Sequence, residues 1–288
     1  YLFFRYTWCL DFSVLQKSAV YALFLLAGCI PLLVSYQMEN YLGKYYIFYR
    51  YGLYAIFIGC IILFTLTLLT DTALLAISYS PLAQHFKHFC SYINPTLITA
   101  AILCSILALY AGVKVPDVKE VVIYSDKITE EKTIVLLSDI HIHRAISPAK
   151  VKAITDKSNA ISPDIILLDG DIIDDDVDKV SDITALLKGL KAKQGIWFVT
   201  GNHEFYAGYK ETADELQKIG FGFLENNGVS LGEIYLAGIP DLFSGKNYGK
   251  NADLSQAFAQ AEDNQSRLLM SHTPADFGKD NIFDLEVS

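Results

Sequence analysis

The chain has 288 residues, 52% of them hydrophobic and only 19% charged, with a formal net charge of −9 at pH 7. A globular domain carries about 25% charged residues; here residues 1–113 hold five bases and three acids, while residues 114–288 hold 18 bases and 29 acids. Net charges of +2 and −11 mark an apolar part and an ordinary soluble part, and exclude a disordered chain, a collagen-like repeat and a disulfide miniprotein.

A bilayer core calls for about 20 apolar helical residues. Three segments approach that length without a charge: 18–36, with Gly28 and Pro31 as a kink, 51–70, and 96–113. Tyr36, Tyr41, Tyr45, Tyr46, Tyr49, Tyr51 and Tyr54 crowd the first connection, as an interfacial aromatic belt would. Asp71 is expected to end the second span among headgroups, the alternative being an intramembrane functional acid. Lys and Arg flank the spans on both sides, so their count does not fix which side the soluble part faces. All five cysteines lie in the apolar part, none at metal-ligand spacing.

After Pro116 apolar runs of strand length alternate with amphipathic stretches. Strands are expected at 120–124, 133–138, 164–169, 195–200, 234–238 and 267–271, and helices at 148–160, 177–190, 210–219 and 252–262. Ser147-Pro148 reads as a helix start, and Asn226-Asn227-Gly228 as a hairpin turn. The alternation argues an α/β fold with some antiparallel pairing late in the chain.

Four of these strands run directly into chemistry. The first leads to Asp139-Ile140-His141, the second to Gly170-Asp171, the third to Gly201-Asn202-His203-Glu204, and the last to His272. In α/β sheets ligands gather at the carboxyl ends of strands. In an extended segment Asp139 and His141 would point to the same side, and Asp171 has two oxygens with which to bridge two ions. Asn202 offers a neutral oxygen and His272 a neutral nitrogen. Oxygen and imidazole donors without thiolate suit Mn, Fe or Zn in a hydrolytic two-metal site. Without ions, Asp139 and Asp171 would face each other across a short gap, where like charges raise one pKa. A part at −11 with no basic stripe is a poor nucleic-acid partner, so an anionic substrate needs a local positive centre, which a metal ion supplies.

The order D-x-H, G-D-x-x-D, G-N-H-E and S-H-x-P resembles the calcineurin-like metallophosphoesterase superfamily, and in particular its small membrane-associated bacterial members. The resemblance covers about residues 130–288 and implies an αββα sandwich with mixed sheets. The domain boundaries become a membrane domain over 1–113, a linker and first strand over 114–130, and a metallophosphoesterase domain over 131–288. It implies two divalent ions, manganese first among the candidates. Asp139, His141 and Asp171 would hold one, and Asp171, Asn202 and His272 the other. His203 would be catalytic rather than a ligand, stabilising charge or protonating the leaving oxygen. Asp174, matching the second Asp of its motif, would orient the loop or a ligating histidine. Glu204 is a candidate support or substrate residue. His143 stands where the family carries glycine, and is either an exposed loop residue or a substrate-phosphate contact. Asp175, Asp176 and Asp178 read as a solvated helix N-terminus. Trp197 and Phe198 read as core, and Tyr206 and Tyr209 as packing or the lining of a lipid or base pocket.

The resemblance further implies a multi-pass protein of a bacterial inner or plasma membrane and a phosphorylated, lipid-linked small-molecule substrate. UDP-2,3-diacylglucosamine of lipid A synthesis is one such substrate. The family closes its site with G-H-x-H shortly after a strand like 283–288. The sequence ends at Ser288, so a piece truncated before that motif is expected, as is a missing start before Tyr1. A non-catalytic membrane scaffold that retains the fold is the alternative.

Overall fold

The computed structural model describes residues 45–78, 86–274 and 282–288, with a few single positions between 13 and 42. The chain divides into two compact units, Tyr1–Lys114 and Val115–Ser288.

In the first unit, α1 (Tyr46–Ser78) packs against α2 (Phe86–Val113). Small residues line the crossing: a Cβ on Gly59 would lie 2.9 Å from Ser105 Oγ, and Ala101 and Ser105 are buried. Close approach through small residues is the usual packing of helices in lipid. Stretches of 28 and 22 residues, Phe48–Leu75 and Tyr92–Val113, are long and apolar enough to cross a bilayer. Only 6% and 11% of their most apolar windows are buried, whereas the core helix of a soluble domain is mostly buried. The expected spans 51–70 and 96–113 fall inside these helices, whereas 18–36 lies almost wholly outside the described residues. Asp71 does not end its helix, which runs on to Ser78. At 33 residues, α1 is about 50 Å long and outlasts a hydrocarbon core of about 30 Å.

The second unit stacks two four-stranded sheets. In the first, β1 (Ile134–Leu137), β2 (Ile165–Asp169), β3 (Ile196–Val199) and β4 (Gly222–Phe223) run parallel in that order. In the second, β5 (Asn227–Leu231) pairs antiparallel with β6 (Ile234–Gly238), and β7 (Ser266–Met270) and β8 (Leu285–Val287) add in parallel. Side chains alternate along β2. Ile166 and Leu168 face a core built with Val151, Ile154 and Leu216 from helices α3 (Pro148–Ala160) and α5 (Asn202–Lys218). Ile165 and Leu167 face Leu236, Leu268 and Met270 of the second sheet. Tyr235, Ala237 and Leu269 on that sheet's far face carry a thinner layer with Phe258, beside the short helix α7 (Leu254–Ala257). The order is thus helix, sheet, sheet, helix.

Local sequence accounts for the elements and for the departures. Pro148 opens α3, although Ser147 makes no side-chain cap; Val151, Ile154, Thr155 and Ser158 recur at helical spacing on its buried face. The expected helix 177–190 is α4 (Val177–Thr184), capped by Asp176, followed by a 3-10 turn at Ala185–Gly189. The helix expected at 210–219 begins earlier, at Asn202, and is broken at Gly208 (φ 116°). Only Leu254–Ala257 of 252–262 is helical. Asn226-Asn227-Gly228 is not a hairpin turn but the entry to β5; the hairpin turns at Gly232, φ 73°. Residues 120–124 form no strand; Val121 to Tyr124 are exposed. Another short helix, α6 (Ser244–Asn247), lies against α5.

Candidate functional site

Parallel register brings the carboxyl ends of β1, β2 and β3 side by side. Beyond them the loop after β1 is laced to the loop after β2: Asp139 N donates to Gly170 O at 3.2 Å, His141 N to Asp171 O at 2.9 Å, Ile142 N to Ile172 O at 2.8 Å, and Asp174 N to Ile142 O at 2.9 Å. Asp139, His141 and Asp171 all have positive φ, at 55°, 51° and 53°. The segment from Asp139 to His141 is therefore not the extended pleat that the alternation argument assumed; left-handed turns direct its side chains. Such conformations cost non-glycine residues of order 1–3 kcal/mol each and collect at functional sites.

One buried carboxylate lies at the centre. Asp171 is 3% exposed, and its two oxygens face different histidines. Oδ2 lies 3.8 Å from Nε2 of His141 and 3.8 Å from Nε2 of His203. Oδ1 lies 3.4 Å from Nε2 of His272, which arrives from β7 in the other sheet, and accepts the His203 N–H at 2.9 Å. Asp139 Oδ1 is 3.5 Å from His141 Nε2. Asp174 takes the opposite side of two rings, bonded to His203 Nδ1 and 3.7 Å from His141 Nδ1. Those rings meet edge to face at 4.6 Å. With Nδ1 turned to Asp174, each ring presents Nε2 toward Asp171. His272 is oriented in the same way, its Nδ1 2.8 Å from the Asp169 carbonyl. Asn202 is half-buried at the first position of α5. Two glycines permit this crowding: a Cβ on Gly201 would sit 2.3 Å from Asp171 Oδ1, and one on Gly170 2.6 Å from His272 Cγ.

Glu204 ties the site together. Fully buried, it accepts backbone N–H groups from Asp171 (2.9 Å), Ile172 (2.7 Å), Ile173 (2.9 Å) and Gly201 (2.7 Å). It thus joins the loops after β2 and β3, with both carboxylate oxygens taken up by backbone N–H groups. His143 is half-buried, not an exposed loop residue; its Nδ1 accepts the Ala145 N–H at 3.0 Å. Asp175 is not solvated but ion-paired to Arg144 Nε at 2.6 Å. Phe198 is core, and Tyr209 stacks on Phe205 at 4.8 Å, while Tyr206 is 70% exposed. Sequence reasoning passed over Asp169, at the end of β2, and Asp241. Asp169 is fully buried with both carboxylate oxygens lacking a hydrogen-bond partner. Asp241 is buried and accepts the Thr273 hydroxyl beside His272. An acid at the close of an apolar strand was the available signal for Asp169.

The sequence profile of the calcineurin-like phosphoesterases matches residues 132–287, more than half of the chain. The chain belongs to the calcineurin-like phosphoesterase family. Similar proteins include an uncharacterized metallophosphoesterase of Helicobacter pylori, 32% identical over 165 residues, or 57% of this chain and 45% of that protein. Another, from Campylobacter jejuni, is 30% identical over 179 residues, 60% of this chain and 48% of the relative. A zebrafish (Danio rerio) transmembrane protein with metallophosphoesterase domain is 29% identical over 193 residues, covering 62% and 44%. The chain spans about half the length of these relatives.

Calcineurin-like phosphoesterases imply divalent metal ions, and the donors here fit them. Ligand atoms of Asp139, His141 and Asp171 lie within 4.8 Å of one another, as do those of His141, Asp174 and His203. All are oxygens or imidazole nitrogens, the set that Mn, Fe or Zn accepts. The electrostatics point the same way. Burial pushes Asp171 up, but His272, His203 and the His203 N–H outweigh it and hold its pKa below the ordinary aspartate range. Asp174 is held low by His141 and His203 in the same way. The Asp174 contact raises His141. Burial opposes charge on His272, yet Asp171 and Asp169 raise its pKa to about 9. The rise expected of one acid of the Asp139–Asp171 pair does not occur at Asp171, because histidines stand around it. Asp169 does rise, to about 7, chiefly by burial, and burial raises Glu204 as well.

Proposed function

We propose that this chain carries the catalytic part of a metal-dependent phosphoesterase held at a membrane, hydrolysing a phosphoester or pyrophosphate bond. The observation that carries the reading is the division of Asp171, one oxygen toward His141 and the other toward His272 from the opposite sheet. A single buried carboxylate so placed suits a bridge between two cations. Asp139 and His141 would hold one ion with Asp171, and Asn202 and His272 the other. Bound there, the ions would supply Lewis-acid stabilisation of the phosphoryl oxygens and an acidified water; manganese is the first metal to try.

His203 is the proton donor in this scheme. A water oxygen forms a new bond to phosphorus as its proton passes to bulk solvent, the bond to the leaving oxygen breaks, and Nε2 of His203 gives that oxygen a proton that solvent later restores. Asp174 on Nδ1 keeps the ring turned, with Nε2 on the side of Asp171. Membrane attachment is supported by the two mostly exposed apolar helices and by the zebrafish relative's description as a transmembrane protein. A catalytic unit tethered there suits a lipid-linked phosphate, UDP-2,3-diacylglucosamine being one candidate. The test is hydrolysis of bis(p-nitrophenyl) phosphate and of that lipid nucleotide by the full-length protein, with manganese added or chelated. No metal-dependent turnover of either would refute the proposal.

A further inference from the structure

Three large aromatic side chains stand in solvent around α5: Tyr206 is 70% exposed, Phe243 79% and Tyr248 58%. Tyr206 lies three residues after His203, its ring 5.6 Å from the imidazole. Phe243 and Tyr248 belong to the loop 239–250 that follows β6, and this loop is fastened to the site at two points. At its start, buried Asp241 accepts the Thr273 hydroxyl next to His272 and the Ser244 N–H at 2.7 Å. At its end, the Tyr248 hydroxyl donates to the Phe205 carbonyl at 3.3 Å, and its ring lies 5.1 Å from that of Phe205. Phe243 sits between these anchors with its ring left outside. Lys250 in the same loop is engaged by Glu225 at 2.8 Å and lies over the Tyr209 ring. Residues 114–288 carry a net charge of −11, and Lys246, exposed between Phe243 and Tyr248, is the cation of this edge that no described carboxylate pairs; the three rings themselves offer mainly apolar surface, and such surface exposed beside a reactive centre is the mark of a binding face.

We infer that Tyr206, Phe243 and Tyr248 form an aromatic wall that receives an apolar group carried on the substrate's phosphorus, so that the site selects apolar phosphoesters over small polar ones. The inference rests on the phosphoesterase reading for what the phosphate does. The apolar group could be an acyl chain or an aromatic ring; both offer the same surface to the wall.

The test is binding, measured by calorimetry on the manganese-loaded full-length protein in nanodiscs, of methyl-, hexyl- and phenylphosphonate. Covering roughly 60 Å² of extra apolar surface predicts about tenfold tighter binding of the larger probes than of methylphosphonate. Hexyl above phenyl points to acyl chains, and phenyl above hexyl to an aromatic group. Phe243→Ala combined with Tyr206→Ala should reduce that ratio to about two, with methylphosphonate unchanged; Phe243→Leu should keep most of the hexyl preference. Equal affinity for the three probes overturns the wall, as does equal loss for all three in the double variant and in Phe243→Leu. A parent protein that shows the ratio but hydrolyses no ester refutes the phosphoesterase reading and leaves the wall standing.

Discussion

Glu204→Gln is the sharpest probe of how the site is built. Oε1 accepts from Ile172 and Ile173, and Oε2 from Asp171 and Gly201. Glutamine keeps the shape but turns one oxygen into an NH2 group. Whichever way the amide sits, two buried backbone N–H groups then face a donor instead of an acceptor. Each such orphan costs about 1–3 kcal/mol, so about 4 kcal/mol in all is expected, set against a total of about 5–15 kcal/mol for a domain. In a unit of this size that is a fall in melting temperature of roughly 8–16 °C. The loss should not stay local, because either pair includes bonds that hold the loop after β2, which carries Asp171, against α5. Differential scanning calorimetry and elemental analysis of the full-length variant read both effects. Glu204→Asp, charged but one methylene short, should fall between. A Glu204→Gln protein that melts within about 2 °C of the parent and binds the same metal would refute the strut.

Asp171→Asn should lose most bound metal and most activity together; unchanged metal content would sink the bridging role. His203→Ala should retain its metal and lose turnover by about 10²–10⁴-fold, whereas parallel loss of metal would make His203 a ligand, as its closeness to His141 and Asp174 permits. Asp164, far from the site, gives a clean pH test. Lys193 and the Thr133 N–H hold its pKa below the usual range. A depressed folded pKa means stability present above the unfolded value and lost as pH falls through the folded one. Asp164→Asn should therefore unfold at lower urea than the parent at pH 7 and at the same urea near pH 2; an equal deficit at both would refute the charge argument.

Residue type and position made much of this legible. Apolar runs marked β1, β2, β3, β6 and β7 to within one or two residues, because buried strands admit little else. What failed was whatever depends on a distant partner. Residues 120–124 have the composition of a strand, but a strand needs a neighbour, and none pairs with them among the described residues. Asn227–Leu231 has a weak apolar signal and is a strand because β6 runs beside it. Arg144 meets Asp175 across 31 residues, and Thr273 meets Asp241 across 32; no spacing rule reaches either pair. The motif leaves Glu204 as either a support or a substrate residue, because a carboxylate among chemical residues can serve either way. Burial and four backbone donors give it a structural role.

The backbone around the site explains why such a crowd of acids can persist without collapsing. Three non-glycine residues held at positive φ would relax if their loops were free. They are not free, because each loop is fixed by something outside it. The loop after β1 hangs on the loop after β2 through four backbone bonds. The loop after β2 hangs on Glu204, and Glu204 stands in a helix whose next residue, Phe205, is buried. The carboxylates then lean on histidines rather than on one another, which is why Asp171 and Asp174 titrate low instead of high. A cation entering such a site meets donors already aimed, so its binding free energy is not spent on ordering loops. On the metal-site reading proposed above, the strain would be the form in which the folding of the two sheets orients the donors before an ion arrives.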